Sequence, residues 1–243
     1  MKFISAVVIA CIVILAMLFF LRQPALEKKA AKQAIVGWRS DFASVTGNGK
    51  EGFPKGWKLE KKPGARPTSF SVRKGSQNEP LLHMEADNAT GSIITGLDGV
   101  DLGKTPFLYW RWRVLVLPRG ADGRIKDRDD QAIGIYVGTG NILNNKSISY
   151  RWDTETPRGA EGNNAYMLGR VKVKWFTLRN KQDLKGGRWI AEKRNVAEDF
   201  KKAWGFYPKN IYLGVCCNSQ YTNSQASAEL EKIEFVSPGA KNK

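Results

Sequence analysis

The sequence predicts an all-β fold, a jelly-roll-like β-sandwich with one short helix, preceded by an N-terminal membrane-spanning helix. Runs of β-branched and aromatic residues recur along the chain and are separated by Gly, Pro, Asn and Asp clusters, a pattern typical of strands joined by turns. Helical spacing is confined to residues 196–204, where Val196, Phe200 and Trp204 share one face. Many strands and almost no helix indicate a sandwich or jelly roll.

Nine segments carry the strand signal most clearly. They are residues 81–85, 91–97, 107–117, 131–138, 147–152, 170–178, 189–195, 211–217 and 226–236. Two stretches rich in charge and Gly, residues 118–130 and 153–164, break the periodicity and are predicted to be long loops. Asn195 is the expected N-cap of the helix.

The N-terminus is predicted to meet a membrane. Residues 3–21 are apolar except for Ser5, and this length fits the roughly 17–25 residues of a membrane span better than the apolar region of a cleavable signal. We expect a retained signal anchor at 1–22, a basic linker at 23–36, a β-sandwich domain at 37–237 and a disordered tail at 238–243. Cleavage near Ala25 stays an alternative, as does acylation of Cys11, although Cys11 is interpreted as a small apolar residue of the anchor.

The charge of the chain favours anionic partners. Its 39 Lys and Arg against 23 Asp and Glu give a net charge of +16. Polysaccharide and anionic lipid head groups fit this charge, whereas nucleic acid is disfavoured because zinc-finger spacing and a basic helix are missing from the sequence. Basic residues after the span favour a cytoplasmic domain by the positive-inside tendency, and the strand-rich, Trp-rich pattern favours a periplasmic one. We expect an inner-membrane anchor with the domain in the periplasm, the alternatives being a secreted or a cytoplasm-facing domain.

Five segments carry a family resemblance: KTPFLYWRWRVLVLP, DDQAIGIYV, SYRWDTETPRG, RWIAEKRNVAEDFKKAWG and AELEKIEF. Their order and spacing, over residues 107–236, resemble the bacterial domain-of-unknown-function family 3047. The resemblance implies an exported or envelope-associated β-sandwich without established activity, similar in outline to jelly-roll carbohydrate-binding modules. The family tends to carry an acidic turn before its last strand, whereas residues 217–222 here lack carboxylates. A cation held at that turn elsewhere would lose its ligands here, and no metal or cofactor is expected.

Candidate binding residues come from strand alternation. In residues 107–117, one face carries Trp110 and Trp112 and is predicted to be core, while Tyr109, Arg111 and Arg113 share the other face. Buried arginines need partners, and Asp129 and Asp130 are the expected ones. Ion pairs that lock the strands together are the alternative role for these arginines.

The next strand places Tyr136 among small residues, which predicts a shallow groove adjoining the arginines. Tyr150 and Trp152 share a face close to a long loop, where aromatic rings stack on sugars, although Trp also fills cores. The predicted ligand-binding set is therefore Tyr109, Arg111, Arg113, Asp129, Asp130, Tyr136, Tyr150 and Trp152.

Catalysis has little support in the sequence. The single histidine, His83, lies in a predicted strand and is interpreted as structural, and zinc-ligand spacing and a nucleophile elbow are missing. Asp129 with Asp153, or Asp130 with Glu155, could form the carboxylate pair of a glycosidase. The adjacent Cys216 and Cys217 point to opposite faces of a strand, so a disulfide between them would be strained.

The sequence therefore predicts a membrane-tethered, non-catalytic extracytoplasmic domain that binds envelope polysaccharide or an acidic glycan. Two alternatives stay open. One is a glycan-cleaving enzyme, and the other is a structural envelope protein that binds other proteins through a sheet edge.

Overall fold

The computed structural model describes residues 35–240, except 41, 44, 47–52 and 142. These described residues form one compact unit. The predicted anchor and most of the linker lie outside the described residues, as does the end of the predicted tail. Within the described part, no helix has the length and apolar character needed to cross a membrane.

The described residues form fifteen strands and one α-helix. The strands are β1 (Val36–Arg39), β2 (Val45–Thr46), β3 (Phe53–Pro54), β4 (Lys58–Lys61), β5 (Ser69–Lys74), β6 (Pro80–Asp87), β7 (Thr90–Gly96), β8 (Phe107–Val116), β9 (Ile133–Asn141), β10 (Asn144–Trp152), β11 (Glu161–Tyr166), β12 (Val171–Arg179), β13 (Ile190–Asn195), β14 (Ile211–Asn218) and β15 (Gln225–Val236). The helix α1 spans Val196–Trp204, and short 3-10 turns occupy Lys126–Arg128 and Lys181–Asp183.

The strands form two large sheets and a small pair. The six-stranded sheet has the order β13-β8-β15-β6-β5, with β1 also paired to β15, and the seven-stranded sheet has the order β11-β12-β10-β9-β14-β7-β4. Neighbouring strands run antiparallel except β10 and β12, which are parallel. Strands β2 and β3 pair only with each other.

The core lies between the two large sheets. Trp110 and Trp112 on β8 face Tyr150 and Trp152 on β10, with ring centroids 5.3 Å apart for Trp110 and Tyr150 and 5.6 Å apart for Trp112 and Trp152. Aromatic pairs at such separations add to the free energy gained by burying their apolar surface. These contacts also align the sheets, so that the start of β8 and the start of β10 lie at the same end of the sandwich.

The structure confirms the all-β sandwich with one short helix. Each of the nine predicted strands corresponds to an observed one within a few residues, and α1 has the predicted bounds. The side chain of Asn195 accepts a hydrogen bond from the backbone N–H of Glu198, as expected of an N-cap. The prediction missed the other six strands, β1 to β5 and β11, and β11 begins inside the stretch predicted as a loop at 153–164.

Candidate functional site: a groove on the seven-stranded sheet

A groove lies on the outer face of the seven-stranded sheet, the face turned away from the core. On β9, β10 and β14 this face carries mainly small residues, and it leaves a depression of ≈ 510 Å³. Four tyrosines among the described residues line it: Tyr136, Tyr166, Tyr212 and Tyr221. Polar groups between them belong to Thr90, Ser92, Asp129, Gln131, Ser147 and Asn218.

Glycines allow two of the tyrosine rings to lie on the sheet. A β-carbon at Gly138 would come within 2.3 Å of the Tyr212 ring, so only glycine fits beneath that ring. At Gly134, a β-carbon would lie 3.0 Å from the Tyr136 ring and 2.9 Å from Cys216 Sγ. The hydroxyl of Tyr212 donates to Asn145 Oδ1 at 3.0 Å, which fixes the far end of the ring.

Side-chain amides form the polar part of the groove. Gln131 Nε2 donates to the backbone carbonyl of Asp129 at 2.8 Å, and Gln131 Oε1 accepts from Asn218 Nδ2 at 3.4 Å. Asn218 Oδ1 in turn accepts from the Thr90 hydroxyl at 2.8 Å. Because each amide is oriented by its neighbours, the groove presents donors and acceptors in fixed directions.

A buried ion-pair cluster lies beneath one side of the groove. Arg151 on β10 pairs through Nη2 with Asp129, its Nε lies 3.3 Å from Asp153 Oδ1, and its guanidinium stands 5.2 Å from the centroid of the Trp175 ring. Burial opposes the charged form, but the two carboxylates outweigh it and raise the pKa of Arg151 above its ordinary value. The guanidinium of Arg151 therefore stays charged, and the carboxylates of Asp129 and Asp153 balance its charge.

Asp129 connects this cluster to the groove. Its Oδ2 accepts hydrogen bonds from Asn164 Nδ2 at 2.6 Å and from the Tyr166 hydroxyl at 3.0 Å, both on the edge strand β11. Asp129 thus positions the exposed ring of Tyr166 at the groove edge. On the groove floor, burial raises the pKa of the Cys216 thiol to about 12, so this thiol is protonated at neutral pH.

Lysines of β4 and of the turn after it stand at the opposite rim. Lys61 and Lys62 line the groove, and Lys62 Nζ lies 4.9 Å from the centroid of the Tyr221 ring. Lys62 also donates to Gln220 Oε1 at 3.3 Å. This rim combines positive charge with an exposed aromatic face.

The structure divides the residues predicted to bind a ligand among four places. Asp129 and Tyr136 line the groove, whereas Asp130 is 0 % exposed and accepts from the backbone and hydroxyl of Thr222 at 2.8 Å. The expectation that Tyr136 adjoins Arg111 and Arg113 is wrong, because those arginines lie on the outer face of the other sheet.

Tyr109, Arg111 and Arg113 belong to a network of ion pairs on the six-stranded sheet. Arg111 pairs with Glu231 at 2.8 Å and Arg113 with Glu229 at 2.5 Å. The prediction that Asp129 and Asp130 are their partners is wrong, because loop 118–130 folds over the seven-stranded sheet, where Gly123 lies against the Arg151 guanidinium. The alternative role as strand-locking ion pairs fits this arrangement.

The structure places Tyr150 and Trp152 in the core, which corrects their assignment as surface residues for sugar stacking. Trp152 Nε1 donates to the backbone carbonyl of Asn180 at 3.1 Å, and the Tyr150 hydroxyl donates to Asp199 Oδ2 at 2.7 Å. Both rings pack on the tryptophans of β8. The rings of Tyr150 and Trp152 are therefore enclosed in the interior of the sandwich, and neither can stack on a sugar.

Sequence reasoning missed several groove residues. These are Tyr166, Tyr212, Asn218 and Tyr221, together with the supporting Arg151. The signal was present for two of them, because the alternation that buries Tyr150 and Trp152 turns Arg151 outward, and the alternation in residues 211–217 turns Tyr212 outward.

Neither predicted carboxylate pair presents two accessible acids. Asp153 is 0 % exposed and accepts from the Thr177 hydroxyl at 2.6 Å, and Asp130 is equally buried. His83 is buried between Glu229 at 3.0 Å and Glu85 at 2.8 Å. In the part of the chain that the structure describes, no group of three or more His, Cys, Asp or Glu side chains could hold a metal ion.

Comparison with solved structures finds distant similarity. The family 11 carbohydrate-binding module of the Clostridium thermocellum cellulosomal cellulase Lic26A-Cel5E is 10% identical, with a TM-score of 0.41, over 80% of this chain and 96% of that chain. The enzymatically active domain of bacteriophage CBA120 tailspike protein 4 is 8% identical, with a TM-score of 0.36, over 75% of this chain and only 19% of that chain.

Sequence comparison gives a clearer result. No relative among curated proteins matches this chain. The model of the family described as protein of unknown function (DUF3047) matches residues 55–234 and begins well before the segments that carry the resemblance noted above. Since the match covers most of the sequence, the chain belongs to the DUF3047 family.

Proposed function

We propose that this protein is a non-catalytic, membrane-tethered binding domain for a polysaccharide of the cell envelope, and that the groove on the seven-stranded sheet is its binding site. The observation that carries the proposal is the combination of four tyrosines with oriented amides and hydroxyls in one open depression. Its volume of ≈ 510 Å³ lies within the range of small-molecule and cofactor sites.

The lining suits the chemistry of sugars. Sugar rings have apolar C–H faces that stack on aromatic rings, and their hydroxyl groups need both donors and acceptors. Tyr166 and Tyr221 are exposed at the groove edge, and Asn218, oriented by the buried Gln131, supplies an amide between them. A chain of sugar units could lie across these groups without closure of the protein around it.

Charge supports an acidic glycan. Lys61 and Lys62 at the rim outnumber the exposed acid Glu60 beside them, and Arg151 is buried and already paired with Asp129 and Asp153. A carboxylate or phosphate on the glycan would reach these lysines at the rim. The high net positive charge of the chain adds long-range attraction for such a polymer.

The two alternatives have less support. A glycosidase with paired carboxylates needs two acids that reach the substrate, and Asp153 and Asp130 are enclosed. A structural protein would use an edge strand of either sheet, and on β4, one of these edges, charged residues such as Lys58 and Lys61 discourage strand addition. The periplasmic location is part of the proposal: the strand-rich, Trp-rich pattern supports it, whereas the basic residues after the predicted span favour the cytoplasm.

The test is a glycan array with the full chain and groove variants at two salt concentrations. Tyr221→Ala and Tyr166→Ala should each weaken binding by about 1–3 kcal/mol at either salt concentration, by analogy with base stacking on aromatic side chains. Tyr207→Ala removes an equally exposed tyrosine outside the groove and should bind as the wild type does. A Lys61→Ala, Lys62→Ala variant should bind the glycan more weakly than the wild type, and this difference in affinity should become smaller as the salt concentration rises.

The outcomes separate the three functions. Groove variants that bind as well as the wild type, or a folded wild type that binds no glycan, would overturn the proposal. Release of new reducing ends from a bound polysaccharide would favour the enzyme.

A further inference from the structure

One end of the sandwich exposes apolar side chains. The turn between β9 and β10, the turn between β11 and β12, and the loop after α1 carry them; we call Leu143, Met167, Leu168, Phe206 and Tyr207 the apolar end. Leu143 is 63 % exposed, Met167 55 % and Leu168 101 %. Single exposed apolar residues are ordinary, but several on adjacent turns mark an interaction surface.

The three segments are neighbours in space. The backbone N–H of Asn145 donates to the carbonyl of Arg170 at 2.8 Å, which joins the two turns. The hydroxyl of Thr139 donates to the carbonyl of Lys209 at 2.7 Å, which joins the loop after α1 to β9. Lys146 Nζ lies 5.2 Å from the centroid of the Phe206 ring. The apolar side chains therefore belong to one continuous end.

The β11–β12 turn is an unusual place for large apolar residues. Met167 and Leu168 have φ values of 51° and 56°, and Gly169 follows with 83°. Turns with consecutive positive φ favour Asn, Asp and Gly, because a side chain with a β-carbon is strained there. The turn conformation thus does not account for Met and Leu. Met167 also lines the groove on the seven-stranded sheet, whereas Leu168 is fully exposed and is free to contact an apolar partner.

Basic residues surround these tips. Arg170, Lys172, Lys201, Lys202 and Lys209 are exposed on the same segments or beside them. Two acids lie among them: Glu161 pairs with Lys174 at 3.3 Å and with Lys202 at 3.7 Å, and Glu198 accepts from the Tyr207 hydroxyl at 3.0 Å. Asp98 and Asp101 lie at this end in loop 97–106, and Asp101 pairs with Lys104 at 3.5 Å. Positive charge therefore dominates around the apolar tips.

We propose that the apolar end docks on an anionic lipid bilayer. The side chains of Leu143, Met167 and Leu168 would enter the boundary between head groups and acyl chains, and the surrounding lysines and arginines would contact lipid phosphates. Apolar side chains at the tips of adjacent turns, with cations around them, match the interface between lipid head groups and acyl chains. An interface between folded proteins has a broader, closely packed apolar centre.

The course of the chain agrees with a domain whose apolar end faces the bilayer. Ile35, the first described residue, is hydrogen-bonded to Ser237 next to the end of β15, and Val236 of β15 pairs with Phe107 at the start of β8. That is the end of the sandwich that carries the apolar tips. Residues 3–21 are apolar in sequence, and thirteen residues, 22–34, separate them from Ile35, a reach of at most about 45 Å.

The experiment uses the full chain in bilayer discs of phosphatidylcholine alone or mixed with phosphatidylglycerol. In a Cys11→Ser background, Leu168→Cys carries an environment-sensitive fluorophore, and Ile125→Cys, exposed in loop 118–130, carries the same label as a matched control. Cys216 and Cys217 are buried with raised thiol pKa values, so they should label slowly.

We expect the label at position 168 to shift to shorter emission wavelengths in the anionic discs and the label at position 125 to stay unshifted. Adding Arg170→Gln and Lys172→Gln should reduce the shift at position 168. Hydrogen exchange in the turns 143–146 and 166–170 of the unlabelled chain should slow in anionic discs relative to detergent. A label at 168 that stays in water, equal shifts at both positions, a shift that is independent of lipid charge, or unchanged exchange would each overturn the proposal.

Discussion

The ring of Tyr212 lies directly over Gly138, at a position where a β-carbon would approach its hydroxyl oxygen and Cζ to 2.3 Å. The two residues are on neighbouring strands, β14 and β9, and form a register pair. Because glycine offers no side chain, the ring can rest on the sheet with its other face toward the groove. A residue without a side chain thus shapes the candidate binding surface.

Substitution Gly138→Ala should displace the Tyr212 ring and weaken glycan binding by about 1–3 kcal/mol, the range for one lost stacking contact. It should also break the hydrogen bond from Tyr212 to Asn145. Gly96→Ala is the matched control on the same sheet but outside the groove, since its new β-carbon would meet no atom closer than 4.0 Å. Equal glycan affinity for the two folded variants, measured by titration, would contradict the role given to Gly138.

Substitution Tyr150→Phe should lower the free energy of unfolding by about 1 kcal/mol and leave glycan binding unchanged. The hydroxyl of Tyr150 donates to Asp199 inside the sandwich, and Arg194 keeps its two hydrogen bonds to Asp199 at 3.0 and 2.8 Å in the variant. Urea unfolding and glycan titration of the same sample check both statements. Loss of glycan binding without loss of stability would indicate that Tyr150 contacts the ligand.

The sequence was sufficient for nine of the fifteen described strands and for which of their residues share a face, because alternation is a local property of each strand. It placed Trp110 and Trp112 in the core and Arg111 and Arg113 opposite them, as the structure does. The short segments that became β5 and β11 lack a strong β-branched signal, and their pairing comes from neighbours distant in sequence.

The candidate site was harder to predict because it depends on which face of each strand turns outward and on where the loops fold. Alternation shows that Tyr150 and Arg151 point to opposite sides, but it does not show which side is the core. Asp129 and Arg113 looked like partners because they are close in sequence. Their real partners, Arg151 and Glu229, are brought near by sheet pairing and by the path of loop 118–130.

Substitution Arg151→Met should destabilise the domain by about 3–5 kcal/mol, because it leaves two buried carboxylates, Asp129 and Asp153, without their cation. Arg119→Met, at an exposed position, should change the free energy of unfolding by less than about 0.5 kcal/mol. Adding Asp153→Asn to Arg151→Met should recover part of the loss, since it removes one unpaired charge. Urea unfolding followed by tryptophan fluorescence measures all three variants, and similar stabilities for Arg151→Met and Arg119→Met would refute the cluster's role.

The stability of loop 118–130 should depend on pH through Asp122. Hydrogen bonds from Arg124, at 2.8 Å to Oδ1 and 2.6 Å to Oδ2, lower the pKa of Asp122 to about 2, from 3.8 in a free side chain. Because the folded pKa lies below the unfolded one, ionised Asp122 stabilises the fold above about pH 4, and this contribution is lost as pH falls from 4 toward 2. Arg124 is 52 % exposed, so solvent screening limits the effect to about 1 kcal/mol or less.

Substitution Asp122→Asn should therefore lower the free energy of unfolding at pH 6 and have little effect near pH 2, where the carboxyl of the wild type is also largely neutral. Arg124→Gln should produce the same loss at pH 6, and the double variant should lose hardly more than either single one, because both substitutions remove the same interaction. Urea unfolding at a series of pH values tests this for the four proteins. If the wild type and Asp122→Asn differ by the same amount at every pH, the ion pair does not contribute to stability, and the loop is held over Arg151 by its other contacts, such as the hydrogen bond from the Gly123 N–H to the Thr156 hydroxyl at 2.8 Å.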